Sequence, residues 1–179
     1  YDKFGNKAVI LERKVDDKLI ENLYKQDSTD LNEVDTSNFS GNALGSNYKL
    51  FQQSDPVLKA LENDLTKITS EFFESDIFID DSFFRILKGE GQVKKHTHLD
   101  NIDKLEKLDL YKNKFSLDYY IKTGDTDCSE PGFLNFYKPD DKILPKPGMI
   151  IIFPSDRPHS VLYDGKSDRI IFSINFYSY

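Results

Sequence analysis

The sequence predicts an α+β fold built on a jelly roll, and three observations predict it. Two stretches with helical apolar spacing lie before residue 75. After residue 80 come about eight short strand-like runs separated by turn residues, the pattern of two facing antiparallel sheets. No composition break, internal repeat or low-complexity tract interrupts the 179 residues, so the chain reads as one domain. In this division, residues 1–80 are a helical and loop support region and residues 81–179 the jelly-roll core.

Taken in order, Ala8-Val9-Ile10-Leu11 is a short strand. Residues 18–25 form a helix, with Leu19, Ile20, Leu23 and Tyr24 on one face and Asp16 or Asp17 as its cap. Residues 26–54 are polar loop with short extended pieces, one of them Tyr48-Lys49-Leu50-Phe51. The clearest helix follows: Asp55 is an N-cap, and Pro56 fits the first helical position, where its missing N–H is not needed. Leu58, Leu61, Leu65, Ile68 and Phe72 then recur at three- and four-residue spacing, a face made to lie on a sheet. Strands are expected at 83–87 and 93–98 with a Gly89–Gly91 turn between them. A charged surface helix is expected at 101–111. Further strands are expected at 115–122, 133–137, 149–153, 160–163 and 170–177, the last two joined by the turn Asp164-Gly165-Lys166-Ser167.

Composition narrows the function. The net charge is −7, and an acidic chain repels phosphate backbones, which speaks against nucleic acid as a partner. No apolar run is long enough to cross a bilayer. One cysteine, Cys128, allows no internal disulfide, which fits a reducing, cytoplasmic setting. The chain opens at Tyr1 without a signal-like apolar core, and the missing initiator Met implies residues upstream.

The three histidines lie in two short segments. His96 and His98 stand in KKHTHLD, at the end of a strand; alternate strand residues share a face, so His96, His98 and Asp100 point one way if the strand persists. Neutral imidazoles and a carboxylate are ligands for a divalent first-row metal. Asp100 also precedes a helix and can simply cap it, and His96 can be a surface histidine between lysines. His159 follows the buried run 149–153 through Pro154 and Pro158, which stiffen its approach. Arg169, ten residues later, opens the last strand, where Ile171, Ser173 and Asn175 share its face. An arginine facing inward needs a partner: a ligand carboxylate gripped by the guanidinium fork, or an internal salt bridge.

These residues together resemble the Fe(II)/2-oxoglutarate-dependent dioxygenases, in the prolyl-hydroxylase-like branch and its putative 2OG-Fe(II) oxygenase relatives. The resemblance covers roughly residues 83–176. It rests on His-x-His or His-x-Asp, on PGMIIIFPSDRPHSV before the distal histidine, on GFLNFYKP, and on DRIIFSINF as the arginine strand. It implies a double-stranded β-helix with supporting N-terminal helices. It implies His98, Asp100 and His159 as iron ligands, with His96 as the alternative third ligand: the superfamily's His-x-Asp is here His98-Leu99-Asp100, and the His-x-His of some relatives is His96-Thr97-His98. It also implies that Arg169 binds the distal carboxylate of 2-oxoglutarate, helped by Tyr119 or Tyr120. The family pattern favours the second tyrosine, and the apolar alternation puts the first inside. Ser173 and Asn175 would line the cosubstrate pocket or serve as ordinary strand residues.

The implied activity uses Fe(II), 2-oxoglutarate and O2 to hydroxylate a protein side chain or a small molecule, with no catalytic side chain beyond the metal site. The charged insertion between Asp100 and Tyr119 would shape a substrate lid. Two alternatives stand beside it: a cupin-like dioxygenase or isomerase that does not use 2-oxoglutarate, and a non-enzymatic jelly-roll binding module.

Overall fold

Residues 8–31, 39–98 and 113–178 are described in the computed structural model, with backbone alone at 39–42 and 89–92. Asp100 and the expected surface helix at 101–111 lie outside the described residues. The strands are β1 (Val9–Glu12), β2 (Thr29–Asp30), β3 (Phe39–Gly45), β4 (Ile77–His96), β5 (Lys114–Thr123), β6 (Pro131–Phe136), β7 (Asp141–Ile143), β8 (Met149–Pro154), β9 (His159–Tyr163) and β10 (Arg169–Ser178). The helices are α1 (Asp17–Lys25) and α2 (Pro56–Phe73), with a short 3-10 turn at Leu50–Gln52.

All pairings between strands are antiparallel, and they make sheets of seven and four strands. The larger runs β2-β3-β4-β10-β5-β8-β1, and the smaller runs β4-β9-β6-β7. β4 belongs to both. Its first part pairs with β10 through Arg169↔Leu87, and its end pairs with β9 from Gln92↔Leu162 to His96↔His159. The sequence reads as two strands with a turn at Gly89 and Gly91; the chain instead keeps one continuous strand through them. Its pairing with β3 shifts register there, between Ser40 and Asn42, an irregularity that glycines accommodate.

Side chains of the larger sheet sort onto two apolar layers. Phe115, Leu117, Tyr119 and Ile121 of β5, Ile150 and Ile152 of β8, and Ile170, Phe172, Ile174 and Phe176 of β10 meet the helices. α2 answers with Leu58, Leu61 and Leu65, as its spacing predicts, and with Phe73, while the expected Ile68 and Phe72 are only partly buried. Asp55 caps it, accepting from the Val57 and Leu58 amides at 2.8 and 3.1 Å. The opposite faces put Tyr120, Ile151, Phe153 and Ile171 against Leu134, Phe136, Val161 and Tyr163 of the smaller sheet. This second layer is the lumen, and the candidate site lies in it. No helix among the described residues is long and apolar enough to cross a membrane.

Candidate metal centre and cosubstrate pocket

The end of β4 and the start of β9 bring the three histidines together, with one ring nitrogen from each within 4.8 Å of the others. His96 faces His159 across the ladder. His98 lies just past the strand, where its backbone amide donates to the Ser155 carbonyl at 2.9 Å. Phe153 walls the His159 ring at 4.8 Å between centroids.

The far nitrogen of every ring is committed. His96 Nδ1 meets the Lys94 carbonyl at 2.7 Å, His98 Nδ1 meets Asn175 Oδ1 at 2.8 Å, and His159 Nδ1 meets the Arg157 carbonyl at 3.0 Å. Those oxygens only accept, so each Nδ1 carries a proton, and the neutral rings of His98 and His159 keep the Nε2 lone pair. Burial holds His159 down to about 3. Burial, reinforced by His159, His96 and Arg85, holds His98 well below the ordinary histidine value. The Nε2 atoms of His98 and His159 are nonetheless 2.9 Å apart. The three rings could hold a metal ion between them, and nitrogen donors of this kind suit a divalent first-row metal.

Beside the rings is a cavity of about 20 Å³, walled by Leu134, Val161 and Ile171 and edged by Arg85, Asp118 and Ser173. Asp118 is buried, and burial raises its pKa; Ser173 Oγ donates to it at 2.7 Å. Arg85 stacks on Phe83 at 4.7 Å. Asp118 and Arg85 do not stand out in the sequence as site residues. Their signal is an arginine inside the apolar run FFRIL and a carboxylate alternating with aromatic neighbours on β5.

Ile171 pairs with Tyr120, and Arg169 is two residues earlier on the same face of β10. Arg169 is 0% exposed. Its Nη1 donates to the Pro131 carbonyl at 2.7 Å, and its guanidinium lies 5.2 Å from the Tyr163 ring centre. Its Nε and Nη2 are buried without a hydrogen-bond partner, and so is the Tyr120 hydroxyl. Burial presses the guanidinium pKa down. Burial, and then Asp118, hold the Tyr120 phenol well above its ordinary value, so it stays an O–H donor. Gly132, at φ +93°, makes the seat: a Cβ there would come 1.5 Å from Arg169 Nη1. Three buried donors left over in one region call for an anionic acceptor.

Of the residues marked in the sequence, His96, His98 and His159 meet, and Arg169 and Tyr120 share the lumen face. Tyr119 does not join them. It points to the helix side, where Arg13 Nη1 donates to it at 3.1 Å and its hydroxyl reaches the Arg13 and Lys14 carbonyls. The alternation does bury Tyr119, but on the other face of a strand that is buried on both. Ser173 gives its hydroxyl to Asp118, and Asn175 gives its oxygen to His98.

By sequence the chain matches no family model and no curated protein. By structure it is similar over nearly its whole length to several solved proteins. HygX from Streptomyces hygroscopicus, with nickel and 2-oxoglutarate bound, matches at TM-score 0.70 and 11% identity, over 96% of this chain and 82% of that one. The viral collagen prolyl hydroxylase of Paramecium Bursaria Chlorella virus-1, in its 2OG complex, matches at 0.67 and 14%, over 96% of both chains. An oxidoreductase of the 2OG-Fe(II) oxygenase family from Burkholderia pseudomallei matches at 0.67 and 11%, over 95% and 84%. The cluster of three histidines in the present chain, which could hold a metal, differs from the usual His-x-Asp/Glu and distal His. The chain is folded as a double-stranded β-helix of the kind found in 2OG-Fe(II) oxygenases and prolyl hydroxylases.

Proposed function

We propose that this protein is an Fe(II)- and 2-oxoglutarate-dependent dioxygenase that hydroxylates a peptidyl or small-molecule substrate. One observation carries the reading: the lumen that gathers the ring nitrogens of three histidines also holds a buried arginine and tyrosine with unpartnered donors. A divalent metal fits the first group and a carboxylate fits the second, and 2-oxoglutarate is a ligand that engages both.

His96, His98 and His159 would hold the metal, with Asp100 as the alternative third ligand. Bound iron supplies the activation of O2 that couples substrate oxidation to conversion of 2-oxoglutarate into succinate and CO2. The chain's own residues do the rest. Arg169 binds the distal carboxylate through Nε and Nη2, and Tyr120 donates its O–H to the same group. Ile171, Leu134 and Val161 keep the space between apolar and exclude water. Ser173, engaged with Asp118, shapes the wall and contributes no donor to the cosubstrate. For the substrate, a peptidyl group and a small molecule both have support among the similar structures, a collagen prolyl hydroxylase and HygX with hygromycin B bound.

The test is succinate formation from 2-oxoglutarate with Fe(II) under air, comparing the wild type with Arg169→Ala and His159→Ala. Both variants are expected to lose turnover, and unchanged turnover in both would overturn the site. The all-histidine cluster favours a second reading, a cupin-like dioxygenase or isomerase that binds iron without using 2-oxoglutarate. Substrate conversion that is independent of 2-oxoglutarate and of Arg169 marks that case.

A further inference from the structure

His98 is held from behind by one side chain. Asn175 Oδ1, on β10 of the larger sheet, accepts from His98 Nδ1 at 2.8 Å and from Ser116 Oγ at 2.9 Å. Its amide cannot be turned round, because Nδ2 donates to Asp81 Oδ2 at 2.9 Å and a carboxylate only accepts. Ser116 in turn takes a hydrogen bond from Ser155 Oγ at 3.1 Å, since its own proton goes to Asn175. Ser155 is also the residue whose carbonyl fixes the His98 backbone. Asn175, Ser116 and Ser155 are all buried.

We infer that Asn175 is the positioning residue of the metal centre: its oxygen fixes the tautomer and ring plane of His98, so that Nε2 faces the other two rings. This rests on the metal reading proposed above. Asp81 acts through Asn175, as the group that decides which end of the amide meets the histidine. His96 and His159 obtain the same service from backbone carbonyls of their own strand ends. His98, lying past the end of β4, takes it from a side chain of another strand. Outer partners of this kind orient ligand imidazoles and raise their basicity, and their loss weakens metal binding about 10- to 100-fold.

The experiment titrates Co(II) into the metal-free protein, following its visible absorption bands and the binding isotherm. Asn175→Leu, close in shape but with no acceptor, should weaken Co(II) about 10- to 100-fold and alter the band pattern. Asn175→Asp combined with Asp81→Asn exchanges donor and acceptor while keeping an oxygen against Nδ1; it should stay within about threefold of the wild type. Leu61→Ala, on the helix side of the larger sheet, should lower thermal stability and leave Co(II) affinity unchanged, which separates positioning from general loosening. Wild-type affinity in Asn175→Leu, or an exchanged pair as weak as Asn175→Leu, overturns the inference and leaves the metal reading standing. Absence of Co(II) binding by the wild type overturns both.

Discussion

The Nε2 atoms of His98 and His159 lie 2.9 Å apart with no proton between them. Each ring has already placed its one proton on Nδ1, against Asn175 in one case and the Arg157 carbonyl in the other. Two acceptors at that distance repel, and a cation between them reverses the sign. Divalent metal should therefore stabilise the fold. At one hundred times its Kd, Fe(II) under anaerobic conditions or Co(II) adds about 2.7 kcal/mol, seen as a rise in Tm. His98→Ala and His159→Ala should abolish that rise.

The third ligand is decided by comparing His96→Ala with Asp100→Ala. His-x-Asp usage in the resembling superfamily leads to the larger loss in Asp100→Ala. The nitrogen of His96, already within reach of the other two, reverses that expectation: metal affinity should fall more in His96→Ala. Isothermal titration with Co(II) gives the order, and equal affinity in wild type and His96→Ala returns the position to Asp100.

Arg169 and the two tyrosines separate by face. Arg169→Ala removes two buried donors and should weaken 2-oxoglutarate binding by about 100-fold, the range of a charge-assisted pair. Tyr120→Phe removes a neutral donor and should cost about 10-fold. Tyr119→Phe should leave 2-oxoglutarate affinity alone and reduce stability by about 1 kcal/mol through its lost contacts to Arg13 and Lys14. A loss of cosubstrate affinity in Tyr119→Phe would contradict the assignment of faces.

Asp55 gives a prediction in pH. The Leu58 amide first, then Asn22 and Val57, hold its carboxyl below the usual range. A folded-state pKa below the unfolded one means that the unfolded chain binds more protons in acid. The cap's contribution is thus present above about pH 4 and disappears as pH falls through the folded pKa. Asp55→Ala should cost about 1 kcal/mol in urea unfolding near neutral pH, and the gap from the wild type should narrow as the pH falls below about 4.

Much of this was legible in the residues because their spacing carries it. The leucines of the α2 stripe, the buried β8, the histidines at strand ends and Arg169 opening β10 follow from period and position. What was not legible turned on which side of a buried strand is the inside. On β5 the apolar set Phe115, Leu117, Tyr119, Ile121 reads as the core face and the set Ser116, Asp118, Tyr120 as the solvent face. Both are buried, because helices cover one side and the smaller sheet the other. The polar set is the working face, and a period of two cannot say so. Asn175 stands out in the sequence as a pocket-lining candidate, but its contact with His98 was hidden for a related reason. Its role depends on Asp81 and His98, which are distant in sequence and meet only when β4 and β10 pair.

Gly132 contributes to the site by what it leaves out. Its strand, β6, is not the strand of Arg169, yet the direction of the guanidinium depends on it: a single methyl group at position 132 would claim the space that Nη1 fills. The left-handed backbone there independently discourages any side chain. On the cosubstrate reading proposed above, the pocket for the carboxylate therefore depends on a residue with no functional group, because a side chain at 132 would displace the guanidinium that is to meet it. On that reading, a descendant of this fold could lose 2-oxoglutarate while all three histidines, the arginine and the tyrosine stayed in the chain.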